Sequence, residues 1–138
     1  WVLLPLVNLA QAPQAAEGAE QILFSVLAAN GLTVTPAPQQ QQPADEFPLE
    51  DSQRLQQALQ WARQRGDTYA ITGSVEEWQY KSGLDGEPAV GITLRVIEPA
   101  SGRILWSASA ARAGWSRESL AGAAQTVLES LVADLPLQ

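Results

Sequence analysis

The sequence contains no cysteine and no histidine among its 138 residues. Without cysteine there can be no disulfide, no thiolate nucleophile and no thiolate metal ligand. Without histidine the chain lacks the side chain that most often acts as a general base near neutral pH and most often binds metals. Ser-His-Asp and Cys-His catalytic arrangements are therefore excluded.

Basic residues are also scarce. One lysine and seven arginines stand against fifteen acidic residues, so the formal net charge is −7. Nucleic-acid binding depends on clustered lysine and arginine, and we therefore expect no nucleic-acid partner. A cationic partner, or solubility alone, explains the acidity better.

The length of the chain fits a single domain, residues 1–138. The first seven residues, Trp1-Val-Leu-Leu-Pro-Leu-Val, are apolar and carry neither an initiator methionine nor a basic segment. We expect that any signal or lipid anchor of the full-length protein lies outside this sequence.

Apolar periodicity predicts the order of the elements. A nearly continuous apolar run opens the chain at residues 1–10, with Pro5 in an unusual position for a strand. Apolar residues then recur with the period of a helix, and a short run of residues that favour strands completes a βαβ unit. The predicted elements after the first strand are a helix over 14–30, a strand over 32–35, a helix over 51–65, strands over 69–81, 89–98 and 104–111, and a last helix capped by Ser116 and stopped by Pro136.

This order, βαβαβββα, places a C-terminal antiparallel meander beside a parallel pair of strands, with helices on the faces of the sheet. The fold class is therefore α/β, as a single-domain αβα sandwich. The segment 36–48 is rich in glutamine and proline, and its composition predicts a flexible loop.

Alternation along the meander predicts which residues share a face of the sheet. In its first strand the apolar face holds Ile71, Gly73 and Val75, and the opposite face holds Thr72, Ser74, Glu76 and Trp78. The second and third strands place their apolar sides at Val90, Ile92, Leu94 and Val96, and at Ile104, Trp106, Ala108 and Ala110.

Two pairs of carboxylates are the candidates for chemistry, Glu76 with Glu77 and Asp85 with Glu87. A glycosidase needs two carboxyl groups that face each other, about 5–9.5 Å apart, and a solvated charged face is the better interpretation here. A calcium site at Asp85-Gly-Glu87 lacks the spaced ligands of an EF-hand loop. We therefore expect no catalytic residue, no metal and no cofactor.

Trp115 is the most informative single residue, because Arg112 and Arg117 stand close on either side of it. A tryptophan between arginines in a loop is typical of a membrane-interface anchor. The alternative is a hydrophobic lid over the start of the last helix, and the residues alone leave both open.

The meander resembles a known family. Residues 69–116 are similar to PelC, the outer-membrane lipoprotein of Pel exopolysaccharide export in Gram-negative biofilms, and the opening strand and last helix follow its general pattern. The segments that carry the resemblance are Tyr69-Ala-Ile-Thr-Gly-Ser-Val-Glu-Glu-Trp-Gln-Tyr-Lys81, Gly83-Leu-Asp-Gly-Glu-Pro-Ala-Val-Gly-Ile-Thr-Leu94, Ser101-Gly-Arg-Ile-Leu-Trp-Ser107 and Gly114-Trp-Ser116. More distantly, the layout resembles the N-terminal domain of TolB and the lipoproteins LpoB and CsgG.

The resemblance implies a periplasmic protein, tethered to the outer membrane by a lipid. It implies a homo-oligomeric, dodecameric ring beneath the PelB porin, whose electronegative funnel guides a cationic polysaccharide to the pore. It also implies that Trp115, with Arg112 and Arg117, faces the membrane surface. The acids expected to guide the polysaccharide are Asp85, Glu87, Glu76 and Glu77.

Two other functions fit the sequence less well. A monomeric, LpoB-like activator of a cell-wall synthase is the main alternative, and it requires no ring. A carboxylate-dependent enzyme acting on sugars would depend on Asp85 and Glu87.

Overall fold

The computed structural model describes residues 1–38, 51–80, 88–113 and 119–135, and the side chains of residues 51 and 52 lie outside that description. The elements are β1 (Val2–Leu3), β2 (Val7–Asn8), α1 (Ala15–Ala29), β3 (Thr35–Pro36), α2 (Asp51–Arg65), β4 (Ala70–Tyr80), β5 (Pro88–Glu98), β6 (Arg103–Ala113) and α3 (Leu120–Ala133). This order confirms the predicted α/β class, with the opening strand divided into two short pieces.

Over these residues the structure forms one mixed sheet in the order β3-β1-β4-β5-β6, with β2 also paired to β4. The β1, β2 and β3 pairings are parallel, while β4, β5 and β6 form the predicted antiparallel meander. The division of the opening strand falls at Pro5, which has no amide hydrogen to give to a ladder. Its carbonyl oxygen accepts a hydrogen bond of 2.8 Å from the Thr72 hydroxyl.

The core lies on both faces of the sheet. Helices α1 and α3 pack side by side on one face, which we call the two-helix face, through a buried stripe that includes Leu23, Leu27 and Leu128. On the other face α2 packs Ala58, Leu59 and Ala62 against the β1 side of the sheet. The arrangement confirms an αβα sandwich, with the second and smaller cluster under a single helix.

Several predicted boundaries are corrected. The strand predicted over residues 32–35 is only Thr35–Pro36, so the first residue of the predicted loop belongs to β3. The rest of that loop, from residue 39, lies outside the described residues. The last helix begins at Leu120, because Ser119 has an extended backbone and its hydroxyl accepts from the Gly122 amide at 2.9 Å. Ser119 and not Ser116 is therefore the cap.

Candidate functional site

A β-bulge at Glu76 determines which side chains of β4 reach each face. Val75 lies opposite Ile92 and Glu77 lies opposite Gly91, so Glu76 is an extra residue with no partner in β5. An extra residue shifts the alternation by one position from that point onward. Trp78 therefore joins Val75 on the two-helix face, and its predicted place beside Thr72 and Ser74 is wrong.

Contacts around Trp78 confirm the shift. Its ring packs on the core cluster and lies over Gly18 of α1, where an added methyl group would be 3.4 Å from a ring carbon. Further along β4, the Tyr80 hydroxyl accepts a hydrogen bond of 3.2 Å from the Leu120 amide at the start of α3. Both aromatic side chains thus hold the end of β4 to the helices.

The same bulge brings two carboxylates to the opposite face. Glu76 bonds to Thr93 of β5. A methyl group added at Gly91, two residues from Thr93 and hence on its side of the strand, would be 3.5 Å from the Glu77 Cβ atom. Glu76 and Glu77 therefore project from one side of the sheet, although they are consecutive in the chain.

Hydroxyl groups hold the Glu76 carboxylate in place. Its Oε1 atom accepts from the Ser74 and Thr93 hydroxyls, each at 2.7 Å. Thr93 also lies 2.7 Å from the Ser109 hydroxyl on β6. Because the single Thr93 proton is given to the carboxylate, Ser109 must be the donor in that second bond. The chain of bonds crosses three strands and fixes one oxygen of an exposed acid.

We call this surface the acidic sheet face. Glu77 is half-buried there and accepts from the Gln79 amide at 3.2 Å. The residues of the acidic sheet face are Ser74, Glu76, Glu77, Gln79, Thr93 and Ser109. Glu76, Gln79 and Ser109 are exposed there, whereas Ser74 and Thr93 are buried beneath them. The surface therefore offers mainly carboxylate oxygens, which suit the ammonium groups of a ligand.

Sequence comparison with family models and with curated proteins finds no match. Comparison with solved structures finds clear matches. Two structures of PelC from Paraburkholderia phytofirmans, both dodecamers, match this chain with a TM-score of 0.76. The first is 30% identical over 97% of this chain and 86% of its own, and the second is 33% identical over 96% and 84%.

The chain belongs to the PelC family. Lipoprotein GNA1162 from Neisseria meningitidis shares the fold, with a TM-score of 0.67 at 17% identity over 96% of this chain and 94% of its own. The family resemblance expected from residues 69–116 is thus confirmed, and the structural match extends it to nearly the whole chain.

The structure places three of the seven predicted PelC-type site residues. Glu76 and Glu77 are together on the acidic sheet face. Arg112 is half-buried and lies opposite Val90, which is buried under the helices, so Arg112 belongs to the two-helix face. Asp85, Glu87, Trp115 and Arg117 lie outside the described residues. Their segments begin and end at one end of the meander, where Tyr80 pairs with Pro88 and Ala89 with Ala113.

Sequence reasoning missed the bulge and the hydroxyl groups that hold Glu76. The signal was present, because Val75 and Trp78 are apolar residues three positions apart with an acidic pair between them. Strict alternation cannot bury both on one side of a strand.

Within the described residues, no group of three or more acidic side chains could hold a metal ion. The helices of the described ranges are all too short or too polar to span a membrane.

The Thr93 hydroxyl lies at the centre of the hydrogen-bond network of the acidic sheet face. Thr93→Val removes the donor to Glu76 and the acceptor for Ser109 while keeping the shape of a buried side chain. We expect the free energy of unfolding, measured by urea denaturation, to fall by about 1–3 kcal/mol.

Thr126→Val is the matched control. The Thr126 hydroxyl is exposed and bonds only to the Gly122 carbonyl one turn earlier. Its replacement should change stability by less than about 0.5 kcal/mol. Equal effects of the two substitutions would contradict a network centred on Thr93.

Proposed function

We propose that this PelC family member is a non-enzymatic guide for a cationic polysaccharide. In this proposal the protein is a lipid-anchored envelope lipoprotein at the periplasmic face of the outer membrane. It assembles into a homo-oligomeric ring beneath the PelB porin and directs the polymer toward the pore. The observation that carries the proposal is the bulge at Glu76, which presents two adjacent carboxylates on one face of the sheet.

The charge of the chain supports this role. A net charge of −7 per subunit, repeated around a ring, would give a negative potential that concentrates a polycation near the pore. A guide must also release the polymer as it moves. Exposed carboxylates in water form weak contacts, each worth about 0.2–1 kcal/mol, and many such contacts allow a chain to slide.

The four acids predicted from the sequence belong to two neighbouring segments of the chain. Glu76 and Glu77 lie close to the end of β4 from which the segment with Asp85 and Glu87 continues. We propose that all four contribute to one acidic surface along the path of the polymer. The LpoB-like alternative differs in requiring a monomer and no affinity for a polycation.

Removing the charge of the two described acids tests the guide. The double variant Glu76→Gln and Glu77→Gln keeps side-chain size and, through the amide oxygen of residue 76, an acceptor for the Ser74 and Thr93 hydroxyls. Chitosan oligosaccharides serve as the cationic probe in isothermal titration calorimetry, and fully acetylated chitin oligosaccharides as the neutral one. We expect the variant to bind chitosan about 2- to 30-fold more weakly, from the loss of two exposed contacts of about 0.2–1 kcal/mol each.

The control variant is Glu98→Gln with Glu129→Gln, which removes the same charge from the end of β5 and from α3. It should bind chitosan nearly as well as the wild type. Wild-type binding should also weaken as salt is raised, because the contacts are electrostatic. Chitin binding equal to chitosan binding would contradict the proposal.

We further propose that Trp115 contacts lipid headgroups, with Arg112 and Arg117 beside it. Trp115→Ala should lower co-sedimentation with vesicles of phosphatidylethanolamine and phosphatidylglycerol by about tenfold, from a loss of roughly 1.5 kcal/mol of apolar burial. Trp61→Ala is the control, since Trp61 lies on α2 and stacks with Arg65 at 5.0 Å. Equal vesicle binding by the wild type and Trp115→Ala would refute this anchor.

A further inference from the structure

Among the described residues, strand β6 forms a long edge of the sheet with no further strand beside it. It has eleven residues and is the last strand in the sheet order. Between Arg103 and Arg112 it has no charged residue, no proline and no glycine, and the sequence is Ile104-Leu-Trp-Ser-Ala-Ser-Ala-Ala111. Monomeric proteins usually protect such edges with charge, proline or a short strand. An edge of this composition is suited to contact with another protein surface.

A second bulge makes this edge more apolar. Val96 lies opposite Trp106 and Ile97 lies opposite Ile104, so Leu105 is an extra residue in β6. Ile104 therefore does not share a side of the strand with Trp106, as alternation predicted, and it is 55% exposed while Leu105 is 41% exposed. We call Ile104 and Leu105 the β6 patch.

The opposite side of the molecule carries a second apolar surface. Leu9 follows β2 and is 63% exposed, and Phe24 on α1 is 41% exposed. One turn before Phe24, the Glu20 carboxylate accepts from the Leu6 amide at 2.7 Å, so this side of α1 faces the β1–β2 edge. We call the surface of α1 around Phe24 the α1 patch, and Leu9, which follows β2 on the far side of the Leu6–Glu20 bond, is not part of it.

The order of helices places the two patches far apart. Helix α3 packs over β5 and β6, while α1 packs over β4 and β2. The side of α1 that faces α3 is occupied by Ile22, Val26 and Ala29, which line the groove between the two helices. Phe24 therefore points away from α3 and from β6. One apolar patch lies at each side of the sheet.

We propose that the β6 patch of one copy packs against the α1 patch of the next copy, head to tail. The partner is thus a second copy of this chain, and the inference rests on the ring of the proposed function. A contact between two different patches repeats around a closed ring, whereas a contact of one patch with itself gives a two-fold dimer. The dodecameric state of the Paraburkholderia phytofirmans relatives agrees with a repeated contact.

Charged residues border both patches. Arg103 precedes Ile104 on β6, and Glu17 and Glu20 lie on the Phe24 side of α1, where Glu17 also forms a salt bridge of 3.7 Å with Arg54 of α2. The Leu6 amide is already bonded to Glu20, so the sheet does not continue through that position. The contact is therefore packing of apolar side chains with a charged rim, the usual composition of protein interfaces.

Two variants that each damage one patch test the geometry. Ile104→Asp places a negative charge opposite Glu17 and Glu20, and Phe24→Arg places a positive charge opposite Arg103. Multi-angle light scattering after size exclusion should show a ring for the wild type and a monomer for each variant alone. An equal mixture of the two variants should form a heterodimer, because each supplies the patch that the other has lost.

Gln57→Asp, on the exposed side of α2, is the control and should retain the ring. Circular dichroism confirms folding, and Ile104→Thr with Phe24→Gln gives a milder pair if a charged variant unfolds. Rings that persist in both patch variants would overturn this interface and leave the ring itself intact. A mixture that stays monomeric would overturn the head-to-tail arrangement. A monomeric wild type would contradict the proposed ring and this interface together.

Discussion

The packing of Val75 and Trp78 against the same pair of helices is the constraint on which the rest of the site depends. The two residues are three positions apart in β4, and a regular strand would send them to opposite faces. Burying both on the two-helix face requires one extra residue between them, and Glu76 is that residue. The acidic pair reaches one face because the apolar pair is held on the other.

This arrangement separates packing from function within one strand. The two-helix face carries the larger core, and Tyr80 extends it to the start of α3. The acidic sheet face carries a hydroxyl network in which Ser109, Thr93 and Ser74 orient a carboxylate without neutralising it. Because the oriented carboxylate is exposed, it still attracts a cationic ligand. Its charge is not removed from water, so the desolvation free energy is small.

Most of the fold could be predicted from the sequence. The apolar stripes of α1 and α3 and the alternation of β5 each point to one arrangement, and the structure agrees with them. Predictions that failed depended on single residues. Regular alternation has no means to anticipate a bulge, so the faces of Trp78 and Ile104 were assigned wrongly. The cap predicted at Ser116 is found at Ser119, whose extended backbone and bond from the Gly122 amide mark the start of α3.

The candidate site was less predictable than the fold. Composition allowed a cationic partner or solubility alone as the reason for the acidity, and the residue pattern indicated the family. Neither could bring Ser74, Thr93 and Ser109 together, since they come from three strands. Cross-strand hydrogen bonds depend on register, and register is set by contacts distant in the chain. The β6 patch and the α1 patch, by contrast, could be recognised only from the exposed fraction of each side chain in the structure.

The most direct test of the account is an electron cryo-microscopy map of the assembled protein in lipid nanodiscs. We expect Glu76 and Glu77 to line the interior of a ring, on the surface that a polymer would cross. A ring in which these two carboxylates face outward, or in which they are buried between subunits, would contradict it.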